Sequence, residues 1–215
     1  MKLKVALCMV IICLMSSVAF AAPLTDYKLG KTAVDLTYYP DLDYRVTNEW
    51  GFDHSAKSKM SNWDFGVTTG LGDKFAVQYR QFNPEVKRLG PASENITVDS
   101  KEANLLYRLD KNFAVFAGYH WGKYTTKYYG KTYKAENNAA QYGLIASQKI
   151  ADKTTLYGLA GFGSGYRNYE VGLGYALTPK LDFNLLYRDM KADELGSPSI
   201  AARVKGLGAG LTYTF

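Results

Sequence analysis

From about residue 32 to its end the chain alternates apolar and polar positions with a period of two, the pattern of strands that are greasy on one face. The last segment is the cleanest: Leu207, Ala209, Leu211, Tyr213 and Phe215 share one face, opposite Gly206, Gly208, Gly210, Thr212 and Thr214. Similar apolar rows occur at Val34/Leu36/Tyr38, Trp63/Phe65/Val67, Phe75/Val77/Tyr79 and Ala103/Leu105/Tyr107/Leu109. They continue at Phe113/Val115/Ala117/Tyr119/Trp121, Ala140/Tyr142/Leu144/Ala146, and, more weakly, Tyr157/Leu159/Gly161. Two more are Tyr169/Val171/Leu173/Tyr175/Leu177 and Leu181/Phe183/Leu185/Tyr187. Aromatic residues gather toward the ends of the rows.

A short turn unit separates alternate segments: Leu71-Gly72-Asp73-Lys74, Leu109-Asp110-Lys111-Asn112, Ile150-Ala151-Asp152-Lys153 and Leu177-Thr178-Pro179-Lys180. In each, an apolar residue runs into Gly, Asp or Pro beside Lys, which is tight-turn chemistry. These four turns, with both termini on the same side, give an up-and-down meander of ten strands, eight being the alternative count. Longer connections at about 40–60, 83–97, 123–138, 164–168 and 189–203 lie at the other end.

The second face decides which side is inside. It carries Asp35, Asp64, Gln78, Arg80, Glu102, Asn104, Arg108, Gln141, Glu170, Asp182, Asn184 and Arg188, interspersed with glycines. That is too polar for the core of a soluble barrel, so the apolar face is expected to meet lipid. Only a closed sheet or a helix satisfies its backbone in a bilayer, and no apolar stretch after residue 21 is long enough for a helix. The fold expected is therefore all-β, a transmembrane antiparallel β-barrel. Ten strands tilted near 40° enclose a backbone radius of roughly 10 Å, which inward side chains nearly fill. Asp64, Arg80, Glu102, Arg108, Glu170, Asp182 and Arg188 are expected to form an ion-paired plug, with glycines making room for longer neighbours.

The amino end changes the address. Lys2 and Lys4 precede an apolar run, Val5 to Met15, and then Ala19-Phe20-Ala21. This reads as a signal peptide over 1–21, cleaved after Ala21, leaving 22–215 as one barrel domain. Cys8 and Cys13 leave with it, which excludes disulfides and thiolate chemistry from the exported part. The chain's formal charge of +6 falls to about +4 on cleavage, a scattered excess unsuited to nucleic acid.

The closing strand with its terminal Phe215 resembles that of bacterial outer-membrane β-barrels, in which the final aromatic is the assembly signal. Over nearly the whole exported part the chain is similar to small barrels of the OmpA/OmpX-like and ten-stranded kinds. The resemblance implies the outer membrane of a diderm bacterium, contact with lipopolysaccharide, and handling by the barrel assembly machinery. It also implies that the periplasmic peptidoglycan-binding tail of full OmpA-type proteins is absent. That group spans adhesins, complement-evasion proteins, lipid-modifying enzymes and structural fillers, so it leaves activity open.

Candidate chemistry is sparse. Asp53-His54-Ser55 reads as loop composition, because adjacent residues on an extended chain point apart. His120 is expected to face inward near the outer rim, where a barrel hydrolase could hold a general base, but its neighbours along the chain supply no nucleophile. Asp41, Asp43, Glu49 and Asp53 lack the spacing of a calcium loop. Asn95-Ile96-Thr97 is a chance sequon, and Gly161 to Gly165 is a glycine-rich strand top with no helix to bind phosphate. Lys123 to Lys134 interleaves Tyr and Lys, suited either to an interfacial girdle neutralising lipopolysaccharide phosphates or to sulfated or phosphorylated glycans. The expectation is a monomeric, non-enzymatic surface barrel without metal or cofactor, whose loops meet host or envelope ligands or which serves structurally. A hydrolase acting through His120 and a narrow solute channel are the alternatives.

Overall fold

A computed structural model of the chain describes residues 26–48, 53–58, 62–87, 95–128, 131–193 and 200–215. The expected leader at 1–21, Glu49 and parts of the first, second, third and fifth long connections, 129–130 among them, lie outside the described residues.

The strands in chain order are β1 (Thr32–Tyr39), β2 (Leu42–Asn48), β3 (Asp53–Ser58), β4 (Asn62–Gly70), β5 (Phe75–Phe82), β6 (Glu85–Lys87) and β7 (Asn95–Arg108). They continue with β8 (Phe113–Tyr128), β9 (Lys131–Ala151), β10 (Thr154–Gly163), β11 (Tyr166–Ala176), β12 (Leu181–Ala192) and β13 (Ile200–Thr214). Antiparallel pairing runs β1-β4-β5-β7-β8-β9-β10-β11-β12-β13, and β13 pairs back to β1, so a closed ten-stranded barrel forms. The four expected turns fall at one end, called here the turn end, and Phe215 N–H closes onto the Thr32 carbonyl beside them.

At the opposite, hairpin end the wall continues past the apolar zone. The Tyr/Lys stretch expected as the third loop is a regular hairpin, with Lys123 opposite Glu136 and Lys127 opposite Thr132. The first connection likewise forms the β2–β3 hairpin, and β2 extends β1 along the upper half of β13. Pro40, which cannot donate to a ladder, marks the break between β1 and β2. These segments look like loops in sequence because Lys, Asp, Thr and Tyr dominate them, yet their backbones pair and Leu42, Tyr44 and Tyr124 turn into the lumen.

The outward rows are those expected, with one exception. Leu36, Phe65, Val77, Leu105, Val115, Leu144, Leu173, Leu185 and Leu211 are all exposed on the outside of the barrel. From Phe113 to Trp121 along β8 the rise is about 26 Å, or roughly 20 Å along a barrel axis at 40° tilt, close to the apolar height of a membrane barrel. The exception is β10. Leu156 and Phe162 face outward, while Tyr157, Leu159 and Gly161, expected outside, are buried in the lumen. Both faces of this strand are apolar, so no polar contrast fixes its side, and a bulge between Thr154 and Thr155 sets the register.

The interior also departs from a uniformly polar plug. Two apolar clusters fill its ends. Tyr27, Leu106, Phe116, Ile145 and Leu159 pack toward the turn end. Tyr39, Leu42, Tyr44, Phe82, Val98, Tyr124, Tyr166, Met190 and Val204 pack toward the hairpin end, with Tyr157 and Leu186 joining them. Two glycines let large rings into the narrow bore. A Cβ on Gly172 would lie 2.4 Å from Tyr157 Cζ, and one on Gly143 2.4 Å from Phe116 Cζ.

Candidate functional site

Between the two apolar clusters lies a belt of paired charges. Its members come from β4, β5, β11 and β12, which alternation alone aims into the lumen. Arg80 donates through Nη1 to Glu170 Oε1 at 2.7 Å and through Nη2 to Asp64 Oδ2 at 2.8 Å. Arg188 donates to the same two carboxylates, at 2.5 Å to Asp64 Oδ2 and 2.8 Å to Glu170 Oε1. In the closed strand order β5 and β11 stand on opposite walls, so the Arg80–Glu170 pair spans the bore. Two guanidiniums and two carboxylates thus neutralise each other, and Asn168 Nδ2 adds a bond to Glu170 at 3.1 Å. Arg188 stacks over Phe82, its Cζ 4.6 Å from the ring centroid, which ties the belt to the apolar cluster above.

Amide and hydroxyl groups carry the belt around the wall. Gln141 donates to Asn104 at 2.7 Å, Asn104 to Gln78 at 3.3 Å, and Gln78 to Thr68 at 3.2 Å. On the far side Asn184 donates to Thr212 at 2.7 Å, and Thr212 to Asp35 at 2.5 Å. A cavity of about 50 Å³, lined in part by Asp35, Asp64, Arg80, Tyr157 and Glu170, has room for a few waters and for no larger solute.

Of the seven charged residues expected in the plug, Asp64, Arg80, Glu170 and Arg188 come together and three do not. Glu102 is directly opposite His120 across the β7–β8 pair and accepts a bond from the Tyr166 hydroxyl at 2.6 Å. Arg108 lies at the turn end, donates to the Asp73 carbonyl and sits over the Tyr27 ring. Asp182 is buried opposite Thr212, nearer the turn end than the belt. The reason is axial height: residues on one face of different strands meet only where tilt and stagger bring them level. Phe215 is exposed and packs edge-on against Tyr213, ring centroids 4.8 Å apart.

The structure also supplies His120 with a neighbour not expected from the sequence. Ser100 Oγ lies 3.1 Å from His120 Nε2, and the imidazole stacks on Tyr166 at 3.7 Å between centroids. The pair could have been found by counting back from the Leu109–Asn112 turn, which puts Ser100 one diagonal step from His120. His120 is 0% exposed, and Glu102, the nearby acid, is engaged by Tyr166. Asp53-His54-Ser55 lies in β3, opposite Thr47, Val46 and Arg45. Among the described residues no group of three His, Cys, Asp or Glu is arranged to hold a metal ion, and no helix is long and apolar enough to cross a membrane.

A closed ten-stranded sheet, apolar and aromatic outside and charge-paired within, defines an outer-membrane type of β-barrel. The outer membrane protease OmpT from Escherichia coli shares this fold, with a TM-score of 0.58 at 13% identity over 86% of this chain and 97% of that one. Ail, the attachment invasion locus protein of Yersinia pestis, solved with the heparin analogue sucrose octasulfate, gives a TM-score of 0.47 at 13% identity, covering 86% and 99%. Neisserial surface protein A gives 0.44 at 15% identity, covering 86% and 99%. No family model matches the sequence, and no curated protein sequence matches it.

Proposed function

We propose that the chain is a non-enzymatic, monomeric protein of the bacterial outer membrane, with a blocked lumen and a hairpin end that meets envelope or host ligands or serves structurally. The observation that carries this reading is the pair of guanidiniums bridging Asp64 and Glu170 across the bore, capped above and below by apolar side chains. A molecule that fills its own interior has its outer wall and its rim left for contacts. Lipid and lipopolysaccharide are then the partners of the wall, and the β2–β3 and β8–β9 hairpins are the parts that reach beyond it.

The contact of Ser100 with His120 favours a hydrolase as the second reading. Against it stand the complete burial of His120 beneath Tyr166 and the engagement of Glu102 elsewhere, which leave a substrate no approach. Lipid A mass spectrometry on cells with and without the protein, together with a peptide-cleavage assay on the refolded chain, separates the two. Unchanged masses and intact peptides are expected; a deacylated lipid A or a cleaved peptide that depends on His120 would establish the hydrolase.

On the same reading Phe215 serves as the signal for the assembly machinery. Physically it is one interfacial ring, 66% exposed, so deleting it removes little packing. Deletion is expected to lower surface abundance in cells severalfold while leaving refolding yield in detergent nearly unchanged. Equal abundance in cells would remove that role.

A further inference from the structure

The belt of ion pairs is balanced, two guanidiniums against two carboxylates, but a third acid shares its space. Asp35 on β1 faces the lumen, with Gly66 of β4 standing between it and Arg80 of β5. A Cβ on Gly66 would lie 3.3 Å from Asp35 Oδ2, so the missing side chain leaves that oxygen beside the cavity of about 50 Å³. Asp35 Oδ1 accepts from Thr212, and among the described residues no ion pair includes Asp35. Asp35, Asp64 and Glu170 line the cavity against Arg80, with Arg188 bonded to two of the three acids, which leaves an excess of one negative charge. Asp182, on the far side of Thr212 and outside the lining, adds to that excess, while Glu102, Arg108 and Lys149 do not line the cavity. Two more acceptors around the same space lack partners. Both guanidiniums use Asp64 Oδ2, which leaves Asp64 Oδ1 bare, and Asn184 donates to Thr212, which leaves Asn184 Oδ1 bare. These two cavity-lining side chains are only 5% and 4% exposed.

A buried charge without a counter-charge is costly, and so is a buried acceptor without a donor. Water alone supplies hydrogen bonds and no charge. A proton on Asp35 supplies the charge but only one donor for two bare acceptors. A small cation with its waters supplies both. Seated beside Asp35 it offsets the excess, and the waters it keeps turn their hydrogens away from it, toward Asp64 Oδ1 and Asn184 Oδ1. Carboxylate, amide and hydroxyl oxygens are the donors that hard cations take. The carboxylates do not converge as a set that chelates a metal, and the cavity admits few waters, so the fit is to a monovalent ion rather than to calcium or magnesium. We propose that the bore holds one alkali-metal cation, seated on Asp35 and linked through water to Asp64 and Asn184. The site needs the closed barrel and is independent of the membrane in which the barrel stands.

The test compares urea unfolding of the full chain, folded in detergent, in sodium, potassium and choline chloride at one concentration and pH. The three salts screen surface charges alike, and choline is too large for the cavity. An alkali salt is expected to raise the folding equilibrium constant about tenfold over choline, as for a ligand at roughly ten times its Kd. Asp35→Asn keeps the shape and an oxygen for Thr212 while removing the excess charge, so it should be equally stable in all three salts. Asp182→Asn, outside the cavity, should retain the alkali dependence. Should Asp35→Asn fail to show heat-modifiable folding, wild-type crystals grown in rubidium chloride read the site directly, with an anomalous peak expected beside Asp35. Equal wild-type stability in alkali and choline salts, an alkali dependence that survives Asp35→Asn, or a cavity without a rubidium peak would overturn the site. Stabilisation by calcium or by acid in place of the alkali salts would overturn it too.

Discussion

Arg188→Glu is expected to lower the stability of the barrel by at least about 3–5 kcal/mol, the cost of breaking a buried ion pair by removing one partner. Arg188 is only 3% exposed and donates to both Asp64 and Glu170, so its reversal would leave three carboxylates in one narrow section with Arg80 as the remaining guanidinium of the belt. The small cavity beside the belt has room for only a few waters to replace the lost donors, and the stacking on Phe82 goes with them. Urea titration of the compact, unboiled band should show a large drop in midpoint. Arg108→Glu, outside the belt at the turn end, should shift it by less than about 1 kcal/mol. Similar shifts for the two variants would mean that the belt does not hold the barrel together.

Arg at Leu173 should cost roughly 2–4 kcal/mol, as for a cation at the bilayer midplane of a barrel wall. Leu173 lies at mid-strand on the lipid face, between Tyr169 and Tyr175, and its direct partner on β10 is Leu156. The inward-facing Tyr157 requires Leu156 to face lipid, so Leu156→Arg should be as damaging as Leu173→Arg. Folding yield into lipid vesicles measures both. A harmless Leu156→Arg would return β10 to the opposite register.

How much of this was legible in the sequence depended on contrast between faces. Where a strand sets Leu or Tyr against Asp, Asn or Gly, as 181–188 and 206–215 do, the outward row follows from alternation. Residues 154–163 offer Leu, Gly, Ala and Phe against Thr, Tyr, Leu and Gly, and one bulge decides the side. The turns were readable because Gly, Asp and Pro have local reasons to be there. The hairpin extensions were not, since segments rich in Lys, Asp, Thr and Tyr have the composition of a loop. Within the lumen, alternation told that Arg80, Glu102, Glu170 and Asp182 point inward, but not at what height. Arg80 and Glu170 are 90 residues apart and meet only because the sheet closes. Ser100 and His120 belong to one hairpin and were within reach of counting from the turn.

The central claim is that the bore is closed by its own side chains. Single-channel recording in planar bilayers tests it most directly. Wild-type protein is expected to give no stable porin-like conductance, only small or transient events, because the Arg80–Glu170 and Arg188–Asp64 pairs bridge the bore and apolar clusters seal both sides of them. A large, steady current from the wild-type barrel would contradict the account and make the protein a channel.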